Sequence, residues 1–207
     1  SMLTPFSPYG NNPFAGPAPL KQKTPSLRPP EQDLPRAVNY YADYSGCGFW
    51  RMLWPEHVLN AYQQVIVAGQ TTMVVEPRYY EKMTAVRVQR QATPNQLKFI
   101  EHLKKISQQM GFRIIYEVDD VIFREDIPDY NKFKTAFTDD KIRKSSQEIM
   151  ELCDEVTVTC PYMRDYYKGK TSQKNITVIP NYPPRFWLGH CYSHDRVHAN
   201  YRKYKSR

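Results

Sequence analysis

The chain has 207 residues, 41% apolar and 24% charged, with a formal net charge of +8. That length accommodates one sizeable core or one domain with extensions rather than two complete enzyme domains, and the apolar share excludes a chain disordered throughout. No apolar run approaches the roughly 20 residues that span a bilayer, and the amino end lacks the basic-then-apolar pattern of a secretory leader, so the expected compartment is the cytoplasm, with no membrane partner.

Ser1 ahead of Met2 reads as a scar of tag removal, with Met2 as the natural start. Residues 1–36 form the first segment, a Pro-rich flexible arm, with nine of the 17 prolines falling before residue 36. Such a segment cannot build a regular ladder. From Ala37 onward, short β-rich runs alternate with longer helical runs, the pattern of an α/β fold with a mostly parallel sheet covered by helices. Residues 37–44 read as the first strand. Ser45-Gly46-Cys47-Gly48-Phe49-Trp50 follows as a glycine loop, leading to a helix over residues 55–64 with Pro55 in its first turn.

Residues 72–76 and 85–89 are strand candidates, rich in Val and other strand formers. Thr93 is then the expected N-cap of a helix with Pro94 in its first turn, Leu97, Ile100, Leu103, Ile106 and Met110 at helical spacing, and Gly111 as its stop. A strand over 112–118 ends in Asp119-Asp120, and a polar loop extends to about Phe137. Thr138 is the expected cap of a helix through Cys153, after which 155–159 reads as a strand, Pro161 starts a short helix, and 175–179 is the last strand before Pro180-Asn181.

Four cysteines, Cys47, Cys153, Cys160 and Cys191, are scattered without a C-x-x-C pair, which predicts free thiols and no disulfide. Six Lys or Arg and a single acid, Asp195, lie between Tyr182 and Arg207, so much of the basic excess sits in residues 185–207. A polyanion such as nucleic acid is a candidate partner, and a non-catalytic nucleic-acid-binding α/β module is the alternative functional class. His190, His194 and His198 would share one helical face. The sequence offers no second pair of ligands at zinc-finger spacing, so no metal site is read there.

In open α/β sheets, ligands bind beyond the carboxyl ends of the strands. Three features fall in that place. Gly46 and Gly48, with Arg51 just beyond, permit close approach of a ligand to the backbone. Glu117 and Asp119 point to one side of an extended strand end and Asp120 opens the loop, and mutual repulsion of such carboxylates raises a pKa towards that of a general base. Asn181 follows the last strand.

Taken in order, Ser45-Gly46-Cys47-Gly48-Phe49-Trp50-Arg51, Val88-Gln89-Arg90-Gln91, Ile115-Tyr116-Glu117-Val118-Asp119-Asp120, Cys153-Asp154-Glu155-Val156-Thr157-Val158-Thr159 and Val178-Ile179-Pro180-Asn181-Tyr182 resemble the amino-terminal half of glycosyltransferases with the GT-B fold, in particular the family-4-like group and its phage-encoded relatives. The resemblance covers residues 37–184. It implies a Rossmann-like domain on the acceptor side of a cleft, with helices on both faces of its sheet. Residues 185–207 then become a basic interdomain linker or the start of a donor domain, and the chain is expected to be part of a longer protein. The implied reaction uses a nucleotide-sugar as co-substrate, bound mainly by the second domain, and requires no other cofactor and no metal. Asp119, Asp120 and Glu117 are the implied catalytic candidates, one carboxylate acting as base in an inverting mechanism or orienting the substrates in a retaining one. Gly46, Gly48, Trp50, Arg51, Arg90, Tyr116 and Asn181 are the implied acceptor-side or cleft-lining residues. The phage relatives extend the expectation to a hydroxymethylated or already glycosylated base in DNA as acceptor, taken out of the duplex into the cleft.

Overall fold

The computed structural model describes residues 34–182. The proline-rich segment before them and the basic, histidine-bearing segment after them lie outside the described residues. The elements run in the order β1 (Arg36–Tyr40), α1 (Gly46–Gly48), a π-helical turn (Phe49–Leu53), α2 (Trp54–Ala61), β2 (Ile66–Gln70), a 3-10 turn (Pro77–Tyr80), β3 (Ala85–Gln89), α3 (Pro94–Met110), β4 (Arg113–Glu117), 3-10 turns at Arg124–Asp126 and Lys132–Phe137, α4 (Asp140–Leu152), β5 (Glu155–Val158), α5 (Pro161–Lys170) and β6 (Ile176–Val178).

All six strands pair in parallel, in the order β2-β1-β3-β4-β5-β6. The protein is therefore α/β and Rossmann-like. From β1 the chain steps to β2 on one side, then crosses back to β3 on the other, so the direction of winding reverses between β1 and β3. Right-handed crossovers then require helices on both faces: α2 covers one, and α3, α4 and α5 cover the other.

The two faces differ chemically because strand side chains alternate. Val38, Tyr40, Val86, Val88, Ile114, Tyr116, Val156 and Val158 are fully buried and meet Phe99, Ile100, Leu103, Ile106, Ile149, Met150, Met163 and Tyr167 from the three helices. The intervening positions, Asn39, Gln89, Glu117 and Thr157, are polar yet also buried, beneath the α2 side. Asn39 there donates to Glu56 of α2 at 3.2 Å.

The long helix forms as its sequence predicts. Thr93 caps it in a reciprocal capping box with Gln96, Pro94 occupies the first turn, and Gly111 ends it in the left-handed region at φ 84°. Elsewhere the structure departs from the sequence pattern. Residues 72–76 have strand composition but pair with no strand. Val74 instead receives the Tyr80 hydroxyl on its carbonyl at 2.5 Å and donates its N–H to the Tyr40 hydroxyl at 3.2 Å, so two tyrosines take the bonds a neighbouring strand would take. The strand is Ile66–Gln70, where Gly69 lets the Tyr41 hydroxyl approach; an ideal Cβ on it would stand 1.7 Å from that oxygen. The cap of α4 is Asp139, accepting from the Lys141 N–H at 2.8 Å, rather than Thr138.

Gly46-Cys47-Gly48 is likewise not an open loop. It is the first turn of a helical stretch that continues through the π turn into α2. Asp43 is the reason, because its Oδ1 accepts from the N–H groups of Ser45 at 2.9 Å and Gly48 at 3.2 Å and starts the helix there. The first strand consequently ends at Tyr40, short of the expected residue 44.

Thr93→Ala should cost about 1 kcal/mol through the lost cap, and Gly111→Ala about as much through left-handed strain, both read from urea unfolding.

Candidate functional site

The carboxyl ends of the strands share one edge, and the reversal of winding between β1 and β3 lies in its middle. Glu117 closes β4 there with a side chain that has no exposure to solvent. Arg51 Nε donates to its Oε1 at 2.5 Å and Arg87 Nη2 to its Oε2 at 2.6 Å, while the Thr157 hydroxyl also donates to Oε2. The Arg51 Nη1 reaches further, to the Ile179 carbonyl at 2.5 Å and Asn181 Oδ1 at 3.0 Å, and Arg87 Nη1 donates to the Arg51 carbonyl at 2.8 Å. One carboxylate thus joins β3, β4, β5, the π turn and, through Arg51, the end of β6. Arg51 itself is only 3% exposed, and among the described residues its Nη2 has no hydrogen-bond partner.

A second cluster lies beyond this one. Arg90, directly after β3, has φ 46°, a strained value for a side chain of its size, and its N–H is held by the Glu117 carbonyl at 2.9 Å. Its guanidinium donates to Asp43 Oδ2 at 2.7 Å and stands 3.8 Å from Asp120 Oδ2. Cys47 Sγ and one oxygen each of Asp119 and Asp120 lie within 4.8 Å of one another. Among the described residues this trio is the group close enough to hold a metal ion, and Arg90 already places positive charge beside it.

The electrostatics separate the carboxylates. Desolvation pushes Asp43 upward, but the Ser45 hydroxyl, the Gly48 and Ser45 N–H groups and Arg90 outweigh it and hold the group below its ordinary range. Asp120 moves the other way. Desolvation raises it, the neighbouring Asp119 charge adds to the rise, and Arg90 opposes both. Burial, and then the Asp119 carboxylate beside it, push the Cys47 thiol up to about 12. Three arginines (51, 87 and 90) face four carboxylates (43, 117, 119 and 120), leaving one negative charge over. Asp120 is exposed with its nearest arginine contact at 3.8 Å, and Asp119 has no arginine within ion-pair distance among the described residues.

The structure gathers Glu117, Asp119, Asp120, Arg51, Arg90 and Asn181 at this edge, with Gly46 and Gly48 in the adjoining helical turn. Tyr116 is not among them: it is fully buried on the apolar face, and its hydroxyl donates to the Gln91 carbonyl at 2.9 Å. Trp50 packs edge-on against Phe49 at 5.1 Å between ring centroids. Glu117 is at the edge but enclosed, so its place is that of an anchor. Sequence reasoning missed Asp43, Cys47, Arg87 and Thr157. Arg87 carried a readable signal, since a central strand that alternates Val86, Val88 with Arg87, Gln89 must find partners for two polar side chains on one face.

Comparison with models of known families, with curated proteins and with solved structures finds no match. Fold and site together define the class: a Rossmann-like α/β protein with an arginine and carboxylate cluster at the reversal of its sheet. Among the described residues no helix is long and apolar enough to cross a membrane.

Glu117→Gln should destabilise the protein by about 3–5 kcal/mol, because it leaves two arginines facing each other without their counter-charge. Thermal and urea unfolding measure it, and a loss below about 1 kcal/mol would contradict the anchoring role. The two glycines should separate in the same assay. A Cβ on Gly48 would stand 1.7 Å from the Asp43 carbonyl oxygen, whereas nothing lies within 4 Å of one on Gly46. Gly48→Ala should therefore cost about 1–3 kcal/mol or more, and Gly46→Ala should be neutral or mildly stabilising.

Proposed function

We propose that these residues form the acceptor-side domain of a nucleotide-sugar-dependent glycosyltransferase, with Asp120 as the general base. The carrying observation is Asp120 itself: a carboxylate of raised pKa, exposed at the reversal of a parallel sheet, beside an Asp119 that is partly buried and an Arg90 that is already committed to Asp43. The motif order that resembles GT-B enzymes supports the same reading from an independent side.

In this mechanism the acceptor hydroxyl donates its proton to Asp120 as its oxygen attacks the anomeric carbon of the donor sugar. The new carbon–oxygen bond forms as the bond to the nucleoside diphosphate breaks, and the diphosphate leaves with the electron pair. Most of the donor contact belongs to a second domain, and the basic excess of the chain suits an acceptor in DNA.

The direct test incubates the longest natural form of the protein with a panel of nucleotide-sugars and hydroxymethylated duplex DNA, glycan and lipid acceptors, and reads product mass. Absence of transfer across the panel would remove the reading. Given a transfer reaction, Asp120→Asn should lower kcat by about 100-fold. The base works only when ionised, so the rate should rise with pH through a midpoint above the ordinary carboxylate value. Arg90→Gln, which removes a charge that pulls Asp120 down, should move that midpoint higher still. A full-rate Asp120→Asn enzyme would eliminate Asp120 as base.

A further inference from the structure

Three of the four carboxylates at the edge have an arginine within ion-pair distance: Glu117 has two, Asp43 has Arg90, and Asp120 has Arg90 at 3.8 Å. Asp119 has none among the described residues, and its Oδ1 is buried without a hydrogen-bond partner there. A carboxylate in that position requires a donor. A thiol stands beside it, since Cys47 Sγ lies within 4.8 Å of an Asp119 oxygen.

The sulfur is placed by the backbone on both sides. Cys47 lies in the first helical turn, next to Gly48, whose N–H is held by Asp43 Oδ1 at 3.2 Å, and Asp43 is itself held by Arg90 at 2.7 Å. Gly48 must lack a side chain for that turn to close against the Asp43 carbonyl. The turn thereby presents Cys47 to Asp119 and Asp120 together, within 4.8 Å.

We propose that Cys47 is a positioning residue whose S–H, donated to Asp119, fixes that carboxylate and leaves Asp120 alone to exchange a proton with the substrate. A thiol performs this task only while protonated. Burial and the Asp119 and Asp120 charges keep it so, against the opposing pull of Arg90. The part played by Asp120 rests on the transferase reading, whereas the pairing of thiol and carboxylate does not.

Two measurements decide the proposal separately. Alkylation of the native 207-residue chain by iodoacetamide, followed for each cysteine peptide by mass spectrometry across neutral and alkaline pH, reports the pairing. Asp119→Asn and Asp119→Ala should each speed modification of Cys47 by about tenfold, as expected for a thiol pKa lowered by one unit. Cys153, 4% exposed, should stay unmodified in both and so report an intact fold, and the Cys160 rate should not change. An unchanged Cys47 rate in both variants with Cys153 protected would overturn the pairing. In the transfer assay, Cys47→Ala should lower kcat by about tenfold with KM unchanged and shift the midpoint of the pH profile, and Cys47→Ser, which keeps a donor, should restore both. A Cys47→Ala enzyme with the wild-type pH profile would overturn the positioning role. A protein that transfers no sugar yet shows the alkylation response would retain the pairing and lose only the transferase reading.

Discussion

A single carboxylate, Glu117, sets the terms for the rest of the structure. Taking it out of water is costly, and only charged, well-directed donors offset that cost. It finds them in Arg51 at 2.5 Å and Arg87 at 2.6 Å, with the Thr157 hydroxyl as a third. Because these come from the π turn, from β3 and from β5, satisfying one side chain fixes the relative positions of three elements. Arg51 then extends the constraint to β6 through the Ile179 carbonyl and Asn181. The π turn fits this role, since an added residue in a helical turn redirects a side chain, and here it turns Arg51 inward.

The anchor also explains why the acidic run divides its work. Strand alternation puts Glu117 beneath α2 and Val118 into the apolar core, and the two aspartates emerge only after the strand has ended. Their surroundings then separate them. Asp119 is partly buried against Cys47, and Asp120 is exposed near Arg90. The backbone of Arg90, strained at φ 46°, is held in place by the Glu117 carbonyl, so the outer cluster depends on the inner one for its geometry as well as its charge balance.

Much of the architecture was legible beforehand where local and global preferences agree. In α3, cap, proline, apolar spacing and terminal glycine all lie within one stretch and need nothing from elsewhere in the chain. The strand composition of residues 72–76 misled for the opposite reason. Its backbone groups are claimed by Tyr40 and Tyr80, and no local pattern records that two hydroxyls from elsewhere will substitute for a strand. Ile66–Gln70 was hidden by its own glycine, whose purpose is the approach of Tyr41 across it. Tyr116 illustrates the same limit at the site, because its position next to Glu117 in sequence carries it to the opposite face.

By itself, then, the sequence determined the alternation of strands and helices, a parallel α/β sheet, and an acidic run at the end of a central strand, all of which follow from short-range periodicity and from turn and cap chemistry. Only the tertiary structure decided which acid is an anchor and which is available. That choice depends on Arg51, Arg87, Arg90, Asp43 and Cys47, which lie about 30 to 80 residues from the acidic run and are brought to it by strand register and by the helix that Asp43 starts. The pairing of a buried charge is a property of neighbours in space, and spacing along the chain does not contain it.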